Sequence, residues 1–214
     1  MRKIVVLSFV SLDGVMQAPG GPEEDTSGNF KHGGWVAGYW DGVMEKVMGD
    51  QTRGSLDLLL GRKTYEIFAA YWPKAKEDPF ADMLNKARKY VASTTLRRLD
   101  WNNSTLVKGD IPEEIRKLKR QDGPELQVHG SSNLIQTLLK HDLIDEFWLK
   151  IFPVTIGHGK RLFGNDTIPA SFKLLETKTS TTSVITANYR RDGEIRTATF
   201  DLDNQKRDLK TSKA

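Results

Sequence analysis

The sequence predicts a three-layer αβα domain, of the α/β class, in which helices cover both faces of a mostly parallel central sheet. The first reason is that apolar runs of strand length alternate with segments of helical spacing over residues 3–152. The second is that two alternating segments, 183–191 and 194–200, flank Asp192-Gly193, a dipeptide typical of hairpin turns. We therefore expect an antiparallel hairpin to close the parallel sheet near the C-terminus.

Each element of this prediction rests on a local pattern of side chains. Six apolar runs have the length of strands, and they cover residues 3–10, 57–61, 89–93, 104–107, 125–129 and 145–152. Apolar residues recur at helical spacing in four further segments, at residues 36–50, 63–71, 79–87 and 131–141. Pro112 indicates the start of one more helix, because proline is favoured in the first helical turn.

The chain is expected to form one domain over residues 1–201, followed by a polar C-terminal tail over residues 202–214. No internal repeat and no linker divides the sequence. Residues 17–34 are rich in glycine and proline and carry few apolar side chains, so they are expected to form a long loop. Loops of that length in a compact domain are usually functional or disordered.

Composition argues against several kinds of partner. The 214 residues include 32 Lys and Arg against 28 Asp and Glu, a net charge of +4 with no long basic run, so nucleic acid is not indicated. The absence of cysteine excludes disulfides and thiolate zinc sites and favours a cytoplasmic protein. No stretch approaches the roughly 20 apolar residues of a membrane span, and the run from Ile4 to Val10 is too short for a signal peptide. The expected partner is a small molecule, and the basic balance favours an anionic one.

The strand at 57–61 runs into a glycine, two cations and a hydroxyl, at Gly61, Arg62, Lys63 and Thr64. Ligands of open α/β sheets collect beyond the carboxyl ends of the strands. Free N–H groups at the start of the following helix favour an anion, and an arginine could add a bidentate contact. A helix cap beside a solvated arginine explains the same residues equally well.

Two other strand ends carry similar chemistry. The strand at 89–93 ends in three adjacent hydroxyl side chains, Ser93, Thr94 and Thr95. Ordinary turns use the same residues, and we favour that interpretation for this segment. The strand at 125–129 leads into a helix through Gly130, Ser131 and Ser132. The glycine allows a ligand to approach the backbone, although a tight turn with a serine cap is the alternative. Three such joints in one parallel sheet suggest an extended phosphate-bearing ligand, such as a dinucleotide.

The order of these motifs resembles that of the dihydrofolate reductase-like superfamily. The motifs span roughly residues 2–200 and read SLDGVM, GRKTYE, KYVAST, VHGSSNLIQTLL and DEFWLKIFPVTIGHGKRLF. The most similar branch is the reductase domain of bacterial riboflavin biosynthesis, the RibD C-terminal type, with its stand-alone relatives. This resemblance implies a dihydrofolate reductase-like fold and an NADPH-dependent reductase.

The resemblance also implies which residues bind the cofactor. The G-R-x-T segment of the family lies near the adenosine 2′-phosphate, and here it matches Arg62, Lys63 and Thr64. The stretch after the next strand, Ser93 to Thr95, lies near the same phosphate. The turn that cradles the pyrophosphate matches Gly130, Ser131 and Ser132, with Ser131 where many relatives have a second glycine. Val10 and the loop that holds Asp13 would neighbour the nicotinamide.

Three acids are candidates for a catalytic proton donor, because a carboxyl group in a partly apolar pocket can protonate a C=N nitrogen. Relatives carry an acid on the helix before the G-R-x-T strand, and here Asp41 and Glu45 stand one turn apart on it. An ungapped count back from the G-R-x-T strand favours Glu45, whereas Asp41 follows Trp40 among aromatic residues that could stack on a flat heterocycle. A solvated helix face over an aromatic core is the alternative. Asp13 is the third candidate, although Asp-Gly is also a common turn pair.

The resemblance places the late basic loop near the substrate, so Lys160 and Arg161 are candidates for binding a substrate phosphate; a solvated loop is the alternative. His32 and His129 could act as acids, but we expect structural roles for both. The apolar strand at 145–152 is expected to be buried or to pair across a homodimer.

The main hypothesis is an NADPH-dependent reductase that transfers a hydride to a flat nitrogen heterocycle. Its type would be that of 5-amino-6-(5-phosphoribosylamino)uracil reductase or of dihydrofolate reductase. The alternative is a non-catalytic nucleotide-binding protein that retains the reductase fold.

Overall fold

The computed structural model describes residues 1–165 and 167–199, which contain one eight-stranded sheet with helices on both faces. The strands are β1 (Ile4–Ser11), β2 (Asp57–Gly61), β3 (Arg88–Ala92), β4 (Ser104–Val107), β5 (Leu126–His129), β6 (Glu146–Phe152), β7 (Phe172–Thr179) and β8 (Ile185–Arg191). The α-helices of these residues are α1 (Gly42–Gln51), α2 (Arg62–Tyr71), α3 (Pro79–Lys86), α4 (Ile111–Arg120) and α5 (Ser132–Lys140). The predicted tail at 202–214 lies outside the described residues.

The strand order is β4-β3-β2-β5-β1-β6-β8-β7. All pairs from β4 to β6 are parallel, and the pairs β6–β8 and β8–β7 are antiparallel. This confirms the predicted mostly parallel sheet closed by an antiparallel hairpin. Because β3, β2, β5 and β1 are consecutive neighbours, their carboxyl ends lie side by side at one edge of the sheet.

The hairpin pairs different segments from those predicted. The strand expected at 183–191 is present as β8, but its hairpin partner is the preceding β7, and residues 194–199 form no strand. The reason is that β6 and β7 already occupy both edges of β8, so no following segment can pair with it. Asp192 and Gly193 instead bond to Ser171 and end the β7–β8 ladder. Phe200, the last residue of the predicted strand, lies outside the described residues.

Helices α4 and α5 cover one face of the sheet, while α1, α2 and α3 cover the other. The main core joins α4 and α5 to β1 and β5 through residues such as Ile115, Ile135, Val6 and Val128. On the opposite face α2 and α3 pack on β2 and β3, and α1 contributes Met44 to a separate cluster with Phe152. None of the helices in the described residues combines the length and the apolarity that a membrane crossing needs.

The helix predicted over 36–50 begins later than expected. Residues 37–39 form a short 3-10 turn, and the extended backbone at Trp40 and Asp41 separates this turn from α1. The Asp41 carboxylate accepts a hydrogen bond from Met44 N at 2.8 Å, which caps the helix at this point. The apolar residues at 36–50 therefore keep helical spacing, although the helix itself is interrupted at Asp41.

Candidate functional site

A cavity of about 1170 Å³ lies at the carboxyl ends of β1, β2, β3 and β5. All three predicted joints contribute residues to its lining, as do α1, α2, α3 and the early loop at 17–34. The parallel order of the four strands brings these distant segments to one edge. The cavity is therefore the part of the fold in which most of the predicted site residues meet.

Two helices that begin at this cavity lack a side-chain cap. Helix α2 follows Gly61, and α5 follows Ser131, whose backbone is left-handed (φ 66°, ψ 54°). By contrast, α1, α3 and α4 each begin with an aspartate that accepts hydrogen bonds from the first turn, at Asp41, Asp78 and Asp110. The first N–H groups of α2 and α5, together with their helix dipoles, thus remain available for an anion.

Gly130 and Ser131 hold these two helix starts close together. Ser131 Oγ accepts a hydrogen bond from Gly61 N at 3.0 Å, which links the end of β5 to the end of β2. Gly130 has a φ of +58°, and a Cβ atom there would stand 3.7 Å from Thr64 Oγ1. A glycine is favoured at this left-handed position and leaves the backbone accessible beside the start of α2. Ser132 is the first residue of α5 and also lines the cavity.

Arg62 and Lys63 supply positive charge at the same place. Arg62 Nη1 lies 3.8 Å from Glu66 Oε1 on the next turn, and Lys63 Nζ lies 3.5 Å from Asp25 Oδ1 of the early loop. Both cationic side chains line the cavity and are about half exposed. Exposed ion pairs at these distances are weak, so both cations can turn to an anionic ligand.

The third joint contains a serine turn. Ser93 is buried, and its Oγ accepts hydrogen bonds from Thr95 N at 3.2 Å and Leu96 N at 3.0 Å. The Ser93 hydroxyl therefore forms a turn, and a phosphate contact at this joint stays a prediction. Ser93, Thr94 and Thr95 all line the cavity, and the two threonines are exposed.

Val10, near the end of β1, is a core residue. Its side chain is 5% exposed and belongs to the main core on the side of α4 and α5. Val10 itself does not line the cavity, whereas its strand neighbours Leu7, Ser8 and Phe9 do. The placement of Val10 beside the nicotinamide stays a prediction.

Asp13 lies in a set of hydrogen bonds at the end of β1. Its carboxylate accepts hydrogen bonds from Ser11 Oγ at 2.6 Å, Ile156 N at 3.0 Å and Gly157 N at 2.7 Å. The bond from Ser11, followed by those from the backbone, lowers the pKa of Asp13 to about 2. Asp13 is therefore an ionised link between the end of β1 and the late basic loop, and it does not line the cavity.

Asp41 is likewise engaged outside the cavity. Besides capping α1, its carboxylate accepts hydrogen bonds from Thr181 Oγ1 at 2.6 Å and Thr181 N at 2.8 Å, in the β7–β8 turn. The bond from Thr181 is the largest cause of a lowered pKa for Asp41. The Asp41 carboxylate is therefore used in the α1 cap and the β7–β8 turn, and it does not line the cavity; its proton-donating role stays a prediction. Glu45, one turn later, lines the cavity, and its side chain has no ion-pair or hydrogen-bond partner among the described residues.

Of the three residues predicted to bind substrate, two line the cavity and one does not. Trp40 lines the cavity with its ring edge-on to Phe9, at 6.1 Å between centroids. Lys160 also lines it, but its Nζ is bound by Asp25 Oδ2 at 2.5 Å and Ser27 Oγ at 2.9 Å. Arg161 lies outside the lining, donates to Gly157 O at 2.9 Å and stands 3.6 Å from Asp13. The guanidinium of Arg161 holds the late basic loop, and its phosphate role stays a prediction.

The motif order, the strand order and the cavity agree with the comparison against protein families. The model of the RibD C-terminal domain matches residues 2–186. This chain belongs to the RibD C-terminal domain family. Two Bacillus subtilis (strain 168) proteins named as uncharacterized, YyaP and YwjB, are similar to it. YyaP is 30% identical over 199 residues, which is 90% of this chain and 96% of YyaP. YwjB is 27% identical over 177 residues, covering 83% of this chain and 91% of YwjB.

Solved structures show that the RibD C-terminal domain seen here has the dihydrofolate reductase-like fold. A protein of Shewanella sp. PV-4, assigned by its name to riboflavin biosynthesis, aligns with a TM-score of 0.61 at 22% identity, over 89% of this chain and 99% of that one. Dihydrofolate reductase from Enterococcus faecalis, complexed with NADP(H) and RAB-propyl, aligns with a TM-score of 0.55 at 12% identity, over 89% and 96%. The expected fold class is thereby confirmed.

Sequence reasoning did not identify two acids of the early loop that line the cavity of this RibD C-terminal domain. Burial raises the pKa of Glu24, which accepts a hydrogen bond from Gly20 N at 2.6 Å. Burial would also raise the pKa of Asp25, but hydrogen bonds from Lys160 and Ser27 outweigh it and hold the value at about 2. The only signal in the sequence was the unusual length of this loop. Across the described residues, no cluster of His, Asp and Glu could hold a metal ion.

His129 is the other residue whose place the sequence could not establish. It ends β5, as expected, but its side chain lines the cavity while being only 5% exposed. Burial, followed by the charge of Lys150, lowers the pKa of His129 to about 3. The imidazole is therefore neutral at physiological pH and contributes no positive charge to the cavity.

Proposed function

We propose that this protein is an NADPH-dependent reductase that transfers a hydride to a flat nitrogen heterocycle. The RibD C-terminal family and the dihydrofolate reductase-like fold support a reductase, and one solved neighbour of this fold holds NADP(H). Candidate substrates are a ribosylamino-pyrimidine, as in 5-amino-6-(5-phosphoribosylamino)uracil reductase, and a dihydropterin.

The observation that carries the proposal is the pair of uncapped helix starts at α2 and α5. They lie at neighbouring strand ends, are joined by the bond between Ser131 and Gly61, and open on the same cavity as Arg62 and Lys63. Two adjacent helix N-termini suit a pyrophosphate, and two exposed cations beside them suit one further phosphate. NADPH carries both kinds of group, whereas NADH lacks the additional phosphate.

When bound, NADPH supplies the hydride, and the protein supplies binding and position. The backbone of Gly130 and the starts of α2 and α5 would hold the pyrophosphate. Arg62 and Lys63 would hold the 2′-phosphate. Trp40 would form an aromatic wall for the heterocycle. Glu45 would hold the proton that the substrate nitrogen takes up, because it is the predicted acid that lines the cavity without a partner among the described residues.

A fluorescence titration of NADPH and NADH against the wild type and Arg62→Ala tests the cofactor assignment. Losing a charge-assisted contact is worth about 1.5–3 kcal/mol, so the Kd for NADPH should rise about ten- to hundred-fold. The Kd for NADH should change little, because it has no phosphate for Arg62 to bind. Arg98→Ala is the matched control, since Arg98 is exposed, pairs with Asp100 and lies outside the cavity.

The absence of binding by either cofactor would refute the reductase proposal. Turnover is tested next, by following NADPH oxidation with dihydropterins and with ribosylamino-pyrimidines. Tight NADPH binding without oxidation across both substrate classes would favour the non-catalytic nucleotide-binding alternative. Oxidation that depends on Glu45 would favour the enzyme.

A further inference from the structure

Asp25, in the early loop at 17–34, lies between two lysines of the cavity. Its Oδ2 accepts a hydrogen bond from Lys160 Nζ at 2.5 Å, and its Oδ1 lies 3.5 Å from Lys63 Nζ. All three side chains line the cavity. The side chain of Asp25 is 17% exposed, whereas that of Lys63 is 55% exposed. Asp25 is thus a counter-ion of a lysine to which the proposed function assigns a phosphate.

Several hydrogen bonds hold Asp25 in this position. Its Oδ1 accepts hydrogen bonds from Ser27 Oγ at 2.6 Å and from Ser27 N at 3.2 Å. Its backbone carbonyl accepts one from Nε2 of the buried Gln17 at 2.9 Å, and Gln17 Oε1 accepts one from Lys160 N at 3.0 Å. Burial would raise the pKa of Asp25, but the hydrogen bonds from Lys160 and Ser27 hold it at about 2. Asp25 is therefore a fixed negative charge at neutral pH.

Lys63 is held less firmly than Asp25, because its ion pair is longer than that of Lys160 and its side chain is more exposed. An anion that binds Lys63 has two ways to do so. It can share the ammonium group with Asp25, in which case its oxygens stand within roughly 7 Å of the carboxylate and are repelled by it. Otherwise Lys63 must leave Asp25 to reach the anion, which costs the ion pair. In both cases Asp25 weakens the binding of an anion at Lys63.

We propose that Asp25 is a cofactor-specificity residue: its carboxylate opposes the 2′-phosphate at Lys63 and makes the preference for NADPH over NADH smaller than Arg62 and Lys63 alone would give. This inference rests on the proposed function, because it concerns the cofactor of the same cavity. Specificity is a difference between two affinities, and a like charge at one position lowers only the affinity of the ligand that is charged there. NADH carries no phosphate at this position. A residue that only anchored the early loop would affect both cofactors alike.

Fluorescence titration of NADPH and of NADH against the wild type and Asp25→Asn tests this inference. Asparagine keeps the size of the side chain and an oxygen for Lys160 and Ser27, but it removes the charge. We expect the Kd for NADPH to fall about three- to ten-fold and the Kd for NADH to change less than about two-fold. Glu23→Gln is the matched control, because Glu23 is an exposed acid of the same loop that does not line the cavity. It should leave both Kd values unchanged.

A double-mutant cycle with Lys63→Met shows whether the effect depends on Lys63. Methionine keeps the length of the side chain but carries no charge, so it removes both the ion pair with Asp25 and the contact with the phosphate. In the Lys63→Met background, Asp25→Asn should therefore change the Kd for NADPH less than about two-fold. Circular dichroism verifies that each variant is folded.

Three results would overturn the inference: an unchanged or raised Kd for NADPH in Asp25→Asn, an equal change for both cofactors, and the same gain in the Lys63→Met background.

Calorimetry with 2′,5′-ADP and 5′-AMP separates this inference from the proposed function, because these fragments differ in the phosphate and carry no nicotinamide. Tight NADPH binding that does not respond to Asp25→Asn contradicts the inference alone. Absence of NADPH binding, with 2′,5′-ADP but not 5′-AMP bound more tightly by Asp25→Asn, contradicts the reductase and leaves the role of Asp25 standing. Absence of binding by both cofactors and both fragments contradicts the two proposals together.

Discussion

The neutral, buried His129 predicts that the stability of this protein depends on pH below neutrality. The pKa of His129 is about 3 in the folded chain against 6.5 for an ordinary histidine. Between these values the unfolded chain binds a proton that the folded chain does not, so unfolding is favoured as the pH falls. The stabilising contribution is fully present above pH 6.5 and decreases towards pH 3.

The size of this effect follows from the two pKa values. Each full proton of difference changes the free energy of unfolding by about 1.4 kcal/mol per pH unit. Integrating from pH 7 to pH 5, with the unfolded pKa of 6.5 in that interval, predicts that His129 alone lowers stability by about 2 kcal/mol. His129→Leu should remove this dependence, because leucine binds no proton in either state.

Urea denaturation at pH 7, 6 and 5 gives the free energy of unfolding at each pH. The effect is the difference between wild type and His129→Leu in the slope of this free energy against pH. The variant starts from a lower stability, because Gln127 Oε1 loses its partner at a cost of about 1–3 kcal/mol. The comparison therefore uses the slope against pH rather than the absolute free energy of unfolding. Buried Lys150 is present in both proteins, so its own pH dependence is common to both. His32→Leu is the control, since His32 is exposed. Parallel slopes for wild type and His129→Leu would refute a neutral buried His129.

Three other substitutions test the site. Gly130→Ala places a side chain at φ +58°, at a cost of about 1–2 kcal/mol, and should weaken NADPH binding about ten-fold in a fluorescence titration. Gly109→Ala is the control, because it meets similar backbone strain at φ +84° away from the cavity; it should lower the melting temperature without changing the affinity for NADPH. An equal loss of affinity in both variants would contradict the proposed contact between the Gly130 backbone and the pyrophosphate. Asp41→Asn should lower the melting temperature by loosening the α1 cap and the β7–β8 turn. An unchanged melting temperature with slower NADPH oxidation would instead support a catalytic role for Asp41. Glu45→Gln should leave melting unchanged and reduce NADPH oxidation by about 100-fold or more, so normal turnover would exclude it as the acid.

The repeating patterns of apolar residues were sufficient to predict most of the fold. All six predicted apolar runs are strands in the structure. Short apolar runs between polar segments are typical of strands in a parallel sheet that is buried on both faces. The hairpin partner was missed because the segment at 172–179 contains exposed polar residues and carries a weak pattern. Its pairing is decided by the free edge of β8, which is a property of the assembled sheet.

The residues of the candidate site also fall into those that the sequence could predict and those that it could not. The glycine and hydroxyl residues at three strand ends were predictable, because the carboxyl ends of parallel strands must lie at one edge. The roles of the acids were not predictable, because each depends on a distant partner. Asp41 is engaged by Thr181 and Asp13 by Gly157, each more than 130 residues away along the chain.

The sequence by itself determined the class of the fold, the positions of the three strand-end joints and the family. Local periodicity and residue type encode these properties, because they depend on neighbours along the chain. The tertiary structure alone decided that β3, β2 and β5 are adjacent, that two helix starts remain uncapped, and that Glu45 rather than Asp13 or Asp41 lines the cavity. It also decided that His129 is neutral, because desolvation depends on the side chains that packing brings around it.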